Sequence, residues 1–228
     1  ETVGRPRAIL CATAHWTTKE PCLGAAARPE TVHDFFGFPE ALYRLRYPAP
    51  GDPDLAGRAA TLLREAGIPA ELDPARGLDH GTWTPLLMAW PEADIPVVQL
   101  SVQQHRDAAH HLAVGRALAP LREDGVLVLG SGGLTHNLRD FGRFRRNDRP
   151  PAYVEDFEAW VDAALLEGRT EDLLRYRTDA PEAARNHPSP EHFLPLFVAL
   201  GAGGEAPPRR LHASHSWGIL SMAAYAFA

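Results

Sequence analysis

Hydrophobic and polar positions alternate between short apolar runs and longer amphipathic stretches along most of the chain. The apolar runs predict buried strands over Arg7 to Thr13, Ile95 to Val102 and Gly125 to Gly130, and a shorter strand over Ile68 to Leu72. The amphipathic stretches predict helices over 52–66, 85–90, 107–123, 154–167, 171–176 and 190–200. Strands that alternate with helices are typical of an α/β domain, with a layered sheet flanked by helices.

The segments between these elements are predicted to be loops. They cover 14–39, which has little periodicity, 77–83, 131–137 directly after the third strand, an arginine-rich exposed excursion over 139–151, and a turn-rich stretch over 201–208. The last apolar segment, Leu211 to Phe227, is expected to return to the sheet as a strand. Because the sequence shows no internal repeat and no convincing linker, we expect one domain over residues 1–228.

Composition excludes several functional classes. The 228 residues are 45% hydrophobic and carry a net charge of −6, so the chain offers no polybasic surface for nucleic acid or membrane lipids. No apolar run approaches the roughly 20 residues that span a bilayer. Two cysteines, Cys11 and Cys22, are too few for a disulfide framework, so we expect a reducing, cytoplasmic setting. Cys11 is expected to be a small core residue.

Histidine is the unusual residue type, with eleven in the chain. Four of them follow predicted strands or lie at predicted helix starts and loops, where α/β enzymes place their sites: His15, His80, His136 and His192. His33 is a fifth candidate. Imidazole is a common ligand for zinc, iron and copper, and it titrates near neutral pH, so the set predicts a metal centre with an acid/base group. The alternative is that each histidine only satisfies a local hydrogen bond, since the spacing matches no zinc-finger or HExxH pattern.

The remaining signals are weaker. We assign His105, His110 and His111 to solvent, and we expect His212 and His215 to be structural. Ser131-Gly132-Gly133 is interpreted as a turn, with an anion cradle as the alternative. No GxSxG motif is present, which weighs against an α/β-hydrolase.

Longer motifs carry a family resemblance. They are Ala14-His15-Trp16, 31–35 (TVHDF), 37–43 (GFPEALY), 47–51 (YPAPG), 77–83 (GLDHGTW), 94–101 (DIPVVQLS), 130–138 (GSGGLTHNL) and 188–196 (PSPEHFLPL). In this collinear order the sequence resembles the class III extradiol ring-cleaving dioxygenases. The resemblance is to the 4,5-DOPA dioxygenase branch, which is related to the LigB subunit of protocatechuate dioxygenase.

The resemblance implies a role for each histidine. His15 and His192 are the expected metal ligands, with Glu191 as the alternative to His192. His136 is the expected catalytic acid/base, His80 is expected to hydrogen-bond a substrate oxygen, and His33 and Trp16 are expected to line the substrate pocket. The family also has a Gly-His-Gly-Ser-Pro type turn that supplies another ligand, and nothing before His15 matches it. We therefore expect that this sequence lacks the family's N-terminal strand and ligand turn, with loss of that ligand as the alternative.

The same resemblance implies the chemistry. We expect a LigB-like fold and a metal-dependent extradiol dioxygenase that opens a catechol such as L-DOPA with O2, by 4,5-cleavage to a seco-DOPA. Non-haem Fe(II) is the expected cofactor, because Zn(II), which is attributed to parts of this branch, has no redox chemistry. The expected partners are the catechol and O2, with no nucleic acid and no membrane, in a monomer or homodimer. The alternatives are a zinc-dependent hydrolase or non-redox homologue on the same fold, and a non-catalytic relative.

The segment from Arg139 to Arg149 is interpreted as a solvated loop, with recognition of a substrate carboxylate as its alternative.

Overall fold

A mixed sheet forms the centre of the fold in the computed structural model, which describes residues 4–204 and 206–227. Its five strands lie in the order β3-β2-β4-β1-β5. They are β1 (Ala8–Thr17), β2 (Cys22–Gly24), β3 (Glu71–Asp73), β4 (Val97–Val102) and β5 (Val126–Ser131). β1 pairs in parallel with both β4 and β5, whereas β2 runs antiparallel to β4. The three predicted main strands are therefore confirmed and lie side by side.

Nine α-helices surround the sheet in the described part of the chain. They are α1 (Glu40–Tyr43), α2 (Pro53–Glu65), α3 (His80–Ala89), α4 (Ala108–Leu118), α5 (Ala152–Leu166), α6 (Thr170–Leu174), α7 (Tyr176–Asp179), α8 (Ala183–Asn186) and α9 (Leu194–Gly203). Two 3₁₀ turns cover Ala119–Asp124 and Leu138–Asp140. No helix in residues 4–204 or 206–227 combines the length and apolar character needed to cross a membrane.

Alternate side chains of β1 belong to two different hydrophobic cores. Ala8, Leu10 and Ala12 of β1 pack with α2 and α4 on one face, and Ile9 and Cys11 pack with α3 on the other. Both faces of β1 are therefore buried, as expected for a parallel strand covered by helices on both sides. A third core joins α4, α5, α6 and α9 beside the sheet. The prediction of a layered α/β domain with flanking helices is confirmed.

Side-chain caps explain the helix starts. The Asp52 carboxylate accepts a hydrogen bond from the Leu55 amide at the start of α2, and Asp107 does the same for the His110 amide at the start of α4. The helix predicted over 107–123 ends as an α-helix at Leu118 and continues as 3₁₀ turns. Pro120 has no amide hydrogen to continue the α-helical ladder, which accounts for the change.

Several predicted boundaries were wrong. Residues 77–83 were expected to be a loop, but α3 starts at His80 because the Asp79 carboxylate accepts a hydrogen bond from the Thr82 amide. The predicted helix over 190–200 begins only at Leu194, since Pro195 lies in its first turn, so His192 lies in the turn before the helix. β2 was not predicted, and β3 overlaps only the last two residues of the strand predicted over Ile68 to Leu72.

The C-terminal segment differs most from its prediction. Instead of one strand that joins the central sheet, it forms two small antiparallel sheets: β6 (Arg209–His212) with β9 (Ala224–Ala226), and β7 (His215–Ser216) with β8 (Leu220–Ser221). Trp217 turns the chain between β7 and β8 with φ +57°, which breaks an extended strand at that point. The two sheets lie against α5, where Arg210 pairs with Glu158 and Asp162.

Candidate active site

Four histidines from distant parts of the chain converge at one edge of the sheet. The His15 ring lies 3.9 Å from the His80 ring and 4.9 Å from the His192 ring, measured between centroids. The His136 ring stacks on the His192 ring at 3.4 Å, with only 8° between their planes. All four side chains are half-buried. The structure therefore brings the four leading sequence candidates into a single cluster.

The topology explains why these residues meet. β1 and β5 are parallel neighbours, so His15 near the end of β1 and His136 just beyond β5 lie at the same sheet edge. The His136 amide donates to the Asn186 carbonyl, which anchors the loop after β5 against the end of α8. His80 is the first residue of α3, the helix that packs on the face of β1 that carries Ile9 and Cys11.

Glycines hold the turn that carries His192. The Gly133 amide donates to the His192 carbonyl at 2.9 Å. A Cβ atom at Gly132 would lie 2.1 Å from the same carbonyl oxygen, so only glycine permits this approach. Of the two interpretations of Ser131-Gly132-Gly133, the turn matches the structure, and the Gly133 amide is already used by the protein.

A buried polar network lies beneath His15. The Thr13 hydroxyl accepts a hydrogen bond from the His15 amide and donates to the Asp79 carboxylate. Asp79 is fully buried and also accepts from the side chains of Gln99 and Arg76. This network ties β1, β4 and the start of α3 together directly behind the cluster. Its residues lacked a sequence signal of their own, because each looks like an ordinary strand or loop position.

Asp34 is the main site residue that the sequence interpretation missed. Its Oδ1 atom accepts hydrogen bonds from the His80 amide and from His80 Nδ1, both at 2.9 Å. Its Oδ2 atom lies 3.6 Å from His15 Nδ1. Ligand-capable atoms of His15, Asp34 and His80 all lie within 4.8 Å of one another. The sequence feature that could have identified Asp34 was its place in the motif 31–35, in which only His33 was singled out.

Burial lowers the pKa values of three of the clustered histidines. The pKa of His136 is lowered to about 4, first by burial and then by the positive charge that His15 would carry. Burial and the neighbouring His136 lower the pKa of His192 to about 2, and burial followed by His80 lowers the pKa of His15. Partial burial would raise the pKa of Asp34, but hydrogen bonds from His80 and the charge of His80 lower it to about 2. At neutral pH the rings of His15, His136 and His192 are therefore neutral, and the Asp34 carboxylate beside them is ionised.

The donor set fits a divalent metal ion. Neutral imidazole nitrogen is a ligand for Fe(II) and Zn(II), and the ring nitrogens of His15 and His192 have no hydrogen-bond partner among residues 4–204 and 206–227. Glu191 adds a carboxylate: Oε1 accepts from the Ser189 hydroxyl, while Oε2 is buried without a partner in the described part of the chain. The charge of Glu191 raises the pKa values of His15 and His136, against the larger lowering by burial.

The two expected pocket residues lie in different surroundings. His33 packs among the rings of Phe35, Tyr43 and Trp83, and Phe35 in turn lies 5.4 Å from the His80 ring. His33 is therefore connected to the cluster through an aromatic neighbour. Trp16 is only 8% exposed and lies beneath the Arg76 guanidinium, 4.7 Å from the ring centroid.

The other histidines lie outside the cluster contacts. His111 was assigned to solvent, but it is buried: its Nε2 accepts from the Gln103 amide while Nδ1 faces the Asp107 carbonyl. The reason is that His111 lies on the inner face of α4 together with Leu112. His187, which the sequence interpretation did not single out, is fully buried and bonds the Leu134 carbonyl. His215 bonds the Glu158 carboxylate, as a structural residue would.

The arginine-rich excursion and the two cysteines agree with their predicted environments, apart from Asp140. Most side chains over 139–151 are exposed, as predicted, but Asp140 is buried and pairs with Arg143 and Arg185. Cys11 and Cys22 are both buried and unpaired. Burial raises the pKa of Cys11 to about 12, which agrees with the predicted core role.

Comparisons with known proteins point to one family. The family model described as the catalytic LigB subunit of aromatic ring-opening dioxygenase matches residues 1–228. The chain is 48% identical over 226 residues to a 4,5-DOPA dioxygenase extradiol of Portulaca grandiflora, covering 98% of this chain and 83% of that protein. It is 43% identical over 211 residues to the protein of the same description in Escherichia coli K12, covering 90% and 76%. A crystal structure of an uncharacterized Escherichia coli K12 protein superposes with a TM-score of 0.82 at 36% identity, covering 97% of this chain and 86% of that one.

Proposed function

The chain belongs to the family of the catalytic LigB subunit of aromatic ring-opening dioxygenases, and we propose that it cleaves L-DOPA or a similar catechol at the 4,5 bond. It is an extradiol dioxygenase, an oxidoreductase that opens a catechol ring with O2, and it depends on a metal. The observation that carries the proposal is the cluster of four half-buried histidines, in a chain whose relatives are described as 4,5-DOPA dioxygenases. The product of that cleavage is a seco-DOPA.

We assign the metal to His15 and His192. The backbone of each is held by a hydrogen bond, the His15 amide to the Thr13 hydroxyl and the His192 carbonyl from the Gly133 amide, so the positions of both residues are set before a metal binds. Glu191 offers a further donor. The Gly-His-Gly-Ser-Pro turn that supplies another ligand in the family has no match in residues 1–228. A bound Fe(II) would make the catechol hydroxyl protons easier to remove and would supply the redox chemistry that Zn(II) lacks. Fe(II) is therefore the metal that we propose.

Proton handling falls to the other two histidines. His136 is neutral at pH 7 because burial lowers its pKa to about 4, so it is able to accept a proton from a catechol hydroxyl. It stacks on His192, which places it beside the assigned metal ligand, and it returns the proton as the ring opens. His80 lies on the other side of His15 and hydrogen-bonds the second substrate oxygen. His33 lines the approach together with Phe35.

We also propose a cytoplasmic location. Support comes from the two buried, unpaired cysteines, which suit a reducing compartment.

The test is anaerobic reconstitution with Fe(II), followed by addition of L-DOPA and then air. We expect oxygen consumption and a yellow ring-opened product, both dependent on iron. Oxygen uptake with other catechols but not with L-DOPA would keep the reaction and discard the substrate. Bound metal without oxygen uptake on any catechol would overturn the proposal in favour of a non-redox role.

Single variants separate the assigned roles. His136→Ala is expected to keep its iron and lose about 10²–10⁴-fold in kcat, the usual contribution of a general acid/base. His15→Ala and His192→Ala are expected to lose iron instead. His105→Ala, on an exposed histidine, is the matched control and is expected to keep both properties. Loss of iron from His136→Ala, or full activity without His136, would contradict the assignment.

A further inference from the structure

Asp34 faces two histidines of the cluster with one carboxylate. Oδ1 lies 2.9 Å from His80 Nδ1, and Oδ2 lies 3.6 Å from His15 Nδ1. The first distance is a hydrogen bond, whereas the second is too long for one and is a contact between charged or polar groups only. Asp34 therefore acts on His80 through a directed bond, and its interaction with His15 is weaker.

The position of Asp34 is set by the backbone on both sides of the contact. The Val32 amide donates to the Leu78 carbonyl, and the Leu78 amide donates to the Glu30 carbonyl. The Trp83 indole donates to the Val32 carbonyl, which ties the same segment to α3. Segment 30–34 is thus fixed to the start of the helix that carries His80.

The bond to Asp34 determines which ring nitrogen of His80 carries the proton. A carboxylate oxygen can only accept a hydrogen bond, so in the neutral ring the proton must lie on Nδ1. Nε2 then keeps its lone pair, and it has no hydrogen-bond partner in the described part of the chain. A nitrogen with a free lone pair accepts a hydrogen bond from a catechol hydroxyl, whereas the opposite tautomer would present an N–H group to it.

We propose that Asp34 is a positioning residue for ring cleavage: it holds the neutral His80 ring with its proton on Nδ1, so that Nε2 accepts a hydrogen bond from the substrate hydroxyl. The inference rests on the proposed function for the identity of the group that meets Nε2. The tautomer of His80 is a property of the protein alone and is measured without substrate or metal.

The test combines a spectroscopic readout with kinetics. Two-bond ¹H–¹⁵N correlation spectra of the metal-free protein at about pH 8, where imidazole is neutral, report the tautomer of each histidine. The His80 signals are assigned by their loss in His80→Gln. We expect the Nδ1–H pattern in the native protein and its loss in Asp34→Ala. Asp34→Asn is expected to keep it, because the amide oxygen still accepts both bonds from His80.

The kinetic effects follow from the same geometry. For the iron-loaded enzyme, Asp34→Ala is expected to lose roughly 10- to 100-fold in kcat, the usual cost of removing a partner that orients a site histidine, with a much smaller change in KM. Asp34→Asn is expected to recover most of this loss. Asp54→Ala, on an exposed carboxylate in the first turn of α2, is the matched control and should change neither readout.

Three results would overturn the inference. An unchanged Nδ1–H pattern in Asp34→Ala would show that another group holds the tautomer. Loss of iron from Asp34→Ala would make Asp34 a ligand instead of a positioning residue. An equal loss of kcat in Asp34→Ala and Asp34→Asn, with the tautomer kept in Asp34→Asn, would show that charge and not orientation is what matters. If the native protein cleaves no catechol, the proposed function fails, and the spectra still decide whether Asp34 orients His80.

Discussion

Gly132→Ala tests whether the turn that carries His192 is held in place by the loop after β5. The added Cβ would lie 2.1 Å from the His192 carbonyl oxygen and 3.3 Å from Pro195 Cγ. Because non-bonded atoms of this kind approach to about 3.5 Å, the carbonyl must retreat by roughly 1 Å or more. That displacement also strains the 2.9 Å hydrogen bond from the Gly133 amide to the same carbonyl.

The size of the effect follows from these two contacts. Overpacking costs about 1–3 kcal/mol, and a weakened hydrogen bond adds about 1 kcal/mol to the loss of unfolding free energy. For a chain of this length, each kcal/mol lowers Tm by about 2–4 °C, so we expect a drop of about 5–15 °C. Because the displaced residue is an assigned ligand, we also expect Fe(II) affinity to fall by about 10- to 100-fold.

The measurements are thermal unfolding of the metal-free protein and competitive titration of Fe(II) against a coloured chelator. Gly57→Ala is the matched control, since it makes the same chemical change inside α2, where the new Cβ meets nothing within 4 Å. Removing a glycine from a helix interior stabilises it by up to about 1 kcal/mol, so this control should melt slightly higher and bind iron normally. Native Fe(II) affinity in a Gly132→Ala protein that melts early would refute the positioning role, and native behaviour in both assays would refute the steric reasoning as well.

Three further predictions concern other contacts. Gly81→Ala places a Cβ 2.6 Å from the His15 ring, so iron content per chain, measured by atomic absorption, should fall while the protein still folds. Burial lowers the pKa values of His111 and His187 to about 4, below the value of about 6.5 in the unfolded chain, so the unfolded state binds more protons and stability is lost as pH falls from 6.5 to 4. Urea unfolding at pH 7.5 and pH 5 should show this loss, at up to roughly 3 kcal/mol per histidine by pH 4, and equal stability at both pH values would contradict it. Asp140→Ala should cost about 2–4 kcal/mol in denaturant unfolding, because it leaves buried polar partners unpaired, and Asp140→Asn should cost less.

The local hydrophobic pattern was sufficient to predict the central strands of the fold. The apolar runs of β1 and β4 are buried on both sides, so their sequences carry a continuous hydrophobic signal, whereas β5, at the edge of the sheet, is buried at Val126 and half-buried beyond it. His15 and His136 were predicted as site residues because α/β enzymes place their sites where strands end, and the parallel pairing of β1 and β5 brings both to the same edge of the sheet. Four of the five leading histidines were therefore predicted for a stated physical reason, and the contact among their rings agrees with it.

Local pattern failed where a distant residue determines the outcome. His111 was assigned to solvent because its neighbours are polar, but its environment depends on the Gln103 amide and on how α4 packs. The C-terminal segment is apolar enough for a strand, but its four short strands form two separate sheets, β6 with β9 and β7 with β8, and Arg210 of β6 pairs with Glu158 of α5. β2 has three residues, too few to show any periodicity.

Asp34 shows why the whole site could not be predicted from local sequence. A carboxylate beside a histidine and two phenylalanines looks like a loop residue, and nothing within 31–36 indicates a partner 46 residues away. The contact arises because segment 30–32 pairs with Leu78 and Asp79 caps α3, which presents the His80 amide and ring to the same oxygen. The clustered histidines were recognised by their chemistry, but Asp34, which bonds one of them, was found only through the fold. Proton position at His80 is therefore a tertiary property of this enzyme, and substitutions in segment 30–34 that shift the backbone should alter the reaction even when every histidine is kept.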